Sequence, residues 1–141
     1  MSQSLAYTVH VPMDFEAAAE ATRTALKAEG FGVLTEIDLQ ATFREKLNRE
    51  FRRYTILGAC NPPLAYAAVT ADPAVGLLLP CNVTLEELGP AATLVRLTDP
   101  RAMLSAAPGG LSPAVQDVAA EATARMERVA RELQNAGAKR G

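Results

Sequence analysis

The sequence predicts an α+β fold of two layers, in which helices pack on a mixed, largely antiparallel sheet. Along the first half of the chain, segments in which apolar and polar residues alternate, as in strands, are followed by segments with helical periodicity. Two strand-like segments then follow one another as a hairpin would, and a long amphipathic helix comes last. The 141 residues are expected to form one domain, 1–141, with the element order β-α-β-α-β-α-β-β-α.

The first strand is expected over residues 5–11, which alternate apolar with polar or small side chains. Asp14 is the expected N-cap of the first helix, and Gly30 is its expected left-handed C-cap. A second strand is expected over residues 31–38. Its apolar side chains are expected on one face: Phe31, Val33 and Ile37.

Asp38 is the expected N-cap of a second, shorter helix, whose apolar residues Leu39, Phe43 and Leu47 recur every four positions. The third strand is expected over residues 54–59 and leads into the segment 60–63, which reads Cys-Asn-Pro-Pro. Because Asn is a good N-cap and Pro favours the first helical turn, a third helix is expected from there to about Ala71.

Residues 75–85 form the longest apolar strand candidate. Pro80 cannot donate a hydrogen bond to a neighbouring strand, so this strand is expected to be an edge strand or to be bulged there. Residues 86–90 then turn the chain into a last strand over 93–98. One face of the long strand would hold five side chains: Leu77, Leu79, Cys81, Val83 and Leu85.

The C-terminal helix is expected over about 112–136, and Ser112-Pro113 opens it after a Gly109-Gly110 loop. The tail after about Ala136 is expected to be disordered. The apolar stripe of this helix consists of Val115, Val118, Ala119, Ala122, Met126, Val129 and Leu133.

Composition excludes several classes of protein. The net charge of −2 argues against a general nucleic-acid binder. No apolar run approaches the length of about 18 residues that a membrane span requires, and residues 1–11 lack the features of a signal peptide. We therefore expect a cytoplasmic protein with two cysteines as thiols. With one histidine, His10, a tetrahedral zinc site is not expected.

The two Cys-Asn pairs are the candidate site. If Asn61 caps the third helix, the Cys60 sulfur lies beside the helix N-terminus, which favours a thiolate; the alternative is a small buried side chain. Cys81 shares a face with leucines, which favours an inert thiol. If the third and fourth strands are neighbours, the two thiols are able to bind a soft metal ion such as Cu(I), form a redox disulfide, or simply fill space.

A basic cluster precedes the third strand: Arg44, Lys46, Arg49, Arg52 and Arg53. It is able to hold an anion or an acidic partner, but Glu45 and Glu50 balance it, and we interpret it as a solvated surface. Glu36 and Asp38 share a strand face, which we interpret as solvent exposure and a helix cap. His10 has no nucleophile at a recognisable spacing.

Four segments occur together in an order that resembles a known family. They are residues 30–33 (Gly-Phe-Gly-Val), 36–38 (Glu-Ile-Asp), 57–62 (Leu-Gly-Ala-Cys-Asn-Pro) and 78–83 (Leu-Leu-Pro-Cys-Asn-Val). The sequence is similar here to the bacterial and archaeal domain of unknown function 302, over about Phe15 to Leu104. The resemblance implies a compact α/β domain that forms homodimers, with no established reaction, substrate or cofactor, and the long C-terminal helix would lie outside it.

Three hypotheses follow. The favoured one is a binding domain that holds a small anionic ligand or a soft metal ion near Cys60, Asn61, Cys81 and Asn82, with the anion at the helix start. The second is a thiol-dependent redox or transfer enzyme that uses Cys60 or Cys81. The third is a homodimeric interaction module without a small-molecule site. The first is favoured because the chain has two soft ligands but no complete acid–base or nucleophile set.

Overall fold

Five strands form one antiparallel sheet in the computed structural model, which describes residues 6–106 and 111–140. The strand order is β1-β5-β4-β3-β2, and all four neighbouring pairs of described strands are antiparallel. The α+β class is confirmed. No parallel pair forms among the described strands, so the sheet is antiparallel throughout and not mixed. The first connection crosses the whole sheet from β1 to β2, and each later one joins neighbouring strands. The strands are β1 (Ala6–Val11), β2 (Gly32–Asp38), β3 (Tyr54–Cys60), β4 (Cys81–Gly89) and β5 (Ala92–Thr98).

The helices follow the predicted order, with one short addition. Asp99 and Pro100 start a five-residue helix that the sequence interpretation missed, although Asp99 accepts a hydrogen bond from the Arg101 backbone as an N-cap. Within the described residues, no helix is long and apolar enough to cross a membrane. The helices are α1 (Phe15–Ala28), α2 (Leu39–Leu47), α3 (Pro62–Ala71), α4 (Pro100–Leu104) and α5 (Pro113–Arg140).

The prediction of a strand from residue 75 is wrong for its first half. Residues Pro73–Leu78 form a 3₁₀ helix, because Asp72 caps it through the Ala74 backbone N–H group. The strand starts only at Cys81. Pro80 therefore precedes β4 and is not required to donate a hydrogen bond to a neighbouring strand. β4 lies between β5 and β3, so the prediction of an edge strand is wrong.

The β4–β5 hairpin is also tighter than predicted. β4 continues to Gly89, which pairs with Ala92, so the turn has two residues and does not occupy 86–90. On β2, a register shift between Val33 and Thr35 interrupts the side-chain alternation. The predicted common face is therefore wrong for Ile37, which is 45% exposed, whereas Phe31 is buried just before the strand.

α5 extends beyond its predicted end, so the prediction of a disordered tail is wrong for residues 137–140. Gly137 lies against Pro12: a Cβ atom at Gly137 would be 2.8 Å from the Pro12 Cδ atom. This contact holds the last turns of the helix on the body of the protein. Leu5 and the Gly109-Gly110 loop fall outside the described residues.

Two hydrophobic clusters meet near one end of β3 and β4. The larger lies between one face of the sheet and the helices α1 and α5. The smaller lies under α3, α4 and the first half of α5, and it contains Ala68, Val75, Leu104, Val115, Val118 and Ala119. The inward side chains of the sheet are Val9, Val11, Leu57, Ala59, Val83, Leu85, Val95 and Leu97.

Candidate functional site

The strand register brings the two cysteines to the same end of the sheet. β3 and β4 are neighbours, as the favoured hypothesis requires, and Ala59 is paired with Cys81. Cys60 is the residue after Ala59 and ends β3. Strand alternation would direct its side chain to the face opposite Ala59 and Cys81. Both cysteines nevertheless line one cavity, which lies at the end of β3 and the start of β4.

This cavity lies between the two hydrophobic clusters and has a volume of about 30 Å³. That space would hold about two water molecules, and it is far smaller than the roughly 150 Å³ of an apolar cavity that binds benzene, so an organic ligand does not fit inside it. Its walls are almost entirely apolar, and they come from both clusters and from the chain between them. Besides the cysteines, they include Phe31, Ala65, Leu79, Leu104 and Val118.

Both cysteines are free, half-buried thiols. Burial raises the pKa of the Cys60 thiol above its ordinary value. Burial, and then the charge of the nearby Cys60, raise the pKa of Cys81 to about 11. Both groups are therefore protonated at neutral pH, which agrees with the alternative of a small buried side chain for Cys60 and not with a thiolate stabilised by the helix start.

The start of α3 has few backbone donors to offer an anion. Pro62 and Pro63 occupy the first two helical positions and have no backbone N–H group. The next two N–H groups are both used by Asn61: Leu64 donates to its side-chain oxygen at 3.4 Å, and Ala65 donates to its carbonyl at 2.9 Å. The first turn thus offers no free donor to a small anionic ligand.

Asn61 has a structural role. Its side chain is 8% exposed, and its Nδ2 atom donates to the Glu29 carbonyl at 3.3 Å. The Arg125 guanidinium donates to the same carbonyl at 2.9 Å. One carbonyl at the end of α1 therefore connects the start of α3 to the middle of α5 and fixes the helices around the cavity.

Asn82 does not reach the cavity. It is paired with Gly58 and follows Cys81, so its side chain points to the opposite face of the sheet, where it is exposed. Its backbone carbonyl accepts a hydrogen bond from the Thr98 hydroxyl at 2.6 Å. Of the four predicted site residues, the structure places Cys60, Asn61 and Cys81 around one space and Asn82 outside it.

Gly58 supports the site through Pro80, and the sequence interpretation missed it. A Cβ atom at Gly58 would be 2.2 Å from the Thr35 Oγ1 atom and 2.9 Å from the Pro80 Cγ atom. The absence of a side chain lets Pro80, which also lines the cavity, pack directly on β3. The available signal was a glycine inside a strand pattern, which often marks such a close approach.

The remaining polar candidates have ordinary structural roles. Glu36 forms an ion pair with Arg23, and Asp38 caps α2 through the Ala41 backbone. His10 is exposed on β1. In the part of the chain that the structure describes, no three His, Cys, Asp or Glu side chains come together as a zinc site would require.

Comparisons with known proteins give a family and a fold. The family described as Domain of unknown function DUF302 matches residues 7–133, so the match includes most of α5, which the sequence interpretation had placed outside it. The structure is similar to the crystal structure of an uncharacterized conserved DUF302 protein from Bacillus stearothermophilus, with a TM-score of 0.77 and 26% sequence identity. The similarity covers 93% of this chain and 99% of that one. No curated protein matches the sequence.

Proposed function

The chain belongs to the DUF302 family, whose description assigns no activity, and from the site we propose a small cytoplasmic binding domain whose cysteines hold one soft monovalent metal ion. Cu(I) is the ion that fits best, because it prefers soft sulfur ligands. In this proposal Cys60 and Cys81 are the ligands, and Asn61 fixes the helix beside them.

One observation supports this function above the others: two cysteines from separate strands line the same small, apolar cavity. A volume of about 30 Å³ suits a single ion and excludes an organic ligand. The blocked start of α3 removes the donors that an anionic ligand would need. Between the two ligand classes that the sequence left open, the geometry favours the metal ion.

The raised thiol pKa values disfavour the thiol-dependent enzyme. A catalytic cysteine needs a thiolate near neutral pH, and such residues normally have a lowered pKa. Burial raises the pKa of both Cys60 and Cys81. A metal ion is different, because it displaces the thiol proton when it binds, and each ligand then stays a thiolate.

A Cu(I) titration tests this proposal. Under anaerobic conditions and with a competing chelator, the protein is expected to bind one Cu(I) ion, and X-ray absorption is expected to show sulfur ligands. The Cys60→Ser/Cys81→Ser variant is expected to bind at least about 1,000-fold more weakly, because oxygen is a poor ligand for a soft ion.

Asn82→Ala is the matched control, since its side chain lies beside Cys81 in sequence but on the other face of the sheet. It is expected to bind Cu(I) like the unmodified protein. Equal affinity of the double-serine variant, or a bound ion without sulfur ligands, would overturn the proposed site.

A second function, a homodimeric interaction module, is supported by the surface formed by α3 and the 3₁₀ helix. Of the ten residues of α3, only Ala68 is buried. Tyr66 is 76% exposed and Leu77 is 82% exposed. Asp72 is the single charged residue in the segment 62–80, and its side chain caps the 3₁₀ helix. An exposed apolar surface with almost no charge suits the same surface of a second copy across a two-fold axis.

Analytical ultracentrifugation tests the dimer. The protein is expected to sediment as a dimer whose dissociation depends on concentration, whereas Tyr66→Glu/Leu77→Glu is expected to be monomeric, because burying two unpaired carboxylates is unfavourable. Lys27→Glu/Arg131→Glu is a charge-changing control on α1 and α5, both exposed positions, and is expected to remain dimeric. A monomer at every concentration would exclude this function and would leave the metal site unaffected.

A further inference from the structure

α2 is an ordered helix that buries none of its nine residues. Both of its ends are capped: the Asp38 carboxylate accepts from the Ala41 N–H group at 3.0 Å, and Asn48, with φ at 51°, donates from its backbone to the Arg44 carbonyl. Helices this short are marginal alone and normally gain their stability by burying an apolar face. α2 is amphipathic, yet its apolar residues are not buried within the chain.

The apolar stripe of α2 becomes more exposed towards its C-terminal end. Phe43 contacts Phe51 edge to face, with ring centroids 5.4 Å apart, and is half-buried. Leu47, one turn later, is 63% exposed. It therefore projects largely into solvent from the end of the helix.

Cationic residues flank this leucine in the sequence. Residues 39–53 have a net charge of +3 on a chain whose net charge is −2. Three arginines here already bind carboxylates of the same chain. Lys46 and Arg49 are exposed, and neither forms an ion pair with any described residue. The three existing pairs are Arg44–Glu50, Arg52–Glu86 and Arg53–Glu16.

We propose that Lys46, Leu47 and Arg49, here called the α2 patch, dock an acidic segment of a partner protein in which an apolar side chain is flanked by carboxylates. The carboxylates would pair with Lys46 and Arg49, and the apolar side chain would cover Leu47. This inference is independent of the metal site, which lies at the end of β3 and β4. Charge complementarity of this kind mainly increases the association rate and the specificity of binding.

Two other occupants fit the α2 patch less well. A membrane surface would gain little, because binding grows with inserted apolar area and Leu47 is the one largely exposed apolar residue of the helix. Single-stranded nucleic acid binds through exposed aromatic rings. Phe51 is unsuitable, because Arg52 lies over its ring at 4.5 Å and Phe43 contacts it from the side.

Fluorescence anisotropy with a labelled synthetic peptide tests the proposal. The probe is a twelve-residue peptide with the repeat Glu-Glu-Leu-Ala, and the reference peptide has Gln at every Glu. The protein is expected to bind the acidic peptide with a Kd on the order of 100 μM, weakening as salt is raised. Lys46→Glu/Arg49→Glu is expected to weaken binding at least about tenfold, and Leu47→Ser about threefold.

Lys27→Glu/Arg131→Glu makes the same charge change at two exposed cations of α1 and α5, and it is expected to leave peptide binding nearly unchanged. Equal weakening by both double variants, equal binding of the Gln peptide, or no binding of the acidic peptide overturns the proposal. Binding to phosphatidylglycerol vesicles without binding to the peptide overturns it in favour of a membrane surface. Leu47→Ser and the salt dependence decide the question if the charge-reversed variant does not fold.

Discussion

Gly58→Ala is expected to lower the free energy of unfolding by about 3 kcal/mol, a large part of the stability of a domain of this size. The added Cβ atom would lie 2.2 Å from the Thr35 Oγ1 atom and 2.9 Å from the Pro80 Cγ atom. Thr35 is able to rotate its hydroxyl away at some cost. The Pro80 ring has no such freedom, because β4 starts at the next residue and fixes its position.

Urea unfolding followed by circular dichroism measures this effect. Gly76→Ala is the matched control: no atom lies within 4 Å of a Cβ atom there, so its effect is expected to stay within about 0.5 kcal/mol. Thr35→Ala in the Gly58→Ala background is expected to recover part of the loss, since it removes the closest contact. A Gly58→Ala variant as stable as the parent would show that β2 and Pro80 do not approach β3 this closely.

The affinity for Cu(I) is expected to rise steeply with pH. Binding to two protonated thiols releases two protons, so the apparent Kd falls about 100-fold per pH unit while both remain protonated. Burial raises the pKa of Cys60 above its ordinary value and that of Cys81 to about 11. The steep dependence therefore includes neutral pH. Above the pKa of Cys60 the apparent Kd falls only about tenfold per pH unit, and above about pH 11 it no longer depends on pH.

Competition titrations between pH 6 and 8, with a chelator of known proton affinity, measure this slope. Cys60→Ser is expected to show half the slope, about tenfold per unit, because one thiol then supplies the proton. Affinity independent of pH in the unmodified protein would mean that the ligands are already thiolates or are not these cysteines.

Local signals predicted the helix starts well. Asp14, Asp38 and Asn61 are N-caps as expected, and each accepts a hydrogen bond from a backbone N–H group three residues later. Gly30 has a φ of 83°, as its expected left-handed conformation requires. These features depend on a few adjacent residues, so the sequence alone specifies them.

The errors in the fold have two physical causes. Residues 75–80 are apolar enough for a strand, but a short apolar run does not distinguish a strand from a helix turn. The Asp72-Pro73 capping pair decided the outcome. The end of α5 depends on the contact between Gly137 and Pro12, more than a hundred residues apart, which no local pattern reveals.

The candidate site was only partly predictable from the sequence. The condition for the site was that β3 and β4 are neighbours; they are, and their pairing brings Cys60 and Cys81 to one cavity. The loss of helix-start donors at Pro62 and Pro63 was readable from the sequence, because proline has no N–H group. The hydrogen bonds from Asn61 and Arg125 to Glu29 join three distant segments, so they required coordinates.

The pairing of β1 with β5 has a consequence for synthesis on the ribosome. β1 lies at the edge of the sheet, and its one neighbour runs from Ala92 to Thr98. The strands β2, β3, β4 and β5 are neighbours in chain order, so they are able to pair as the chain leaves the exit tunnel. β1 is not able to pair with β5 until β5 has been synthesised. The nascent chain therefore exposes Val9 and Val11 until its late segments emerge, and chaperones are able to bind it during that interval.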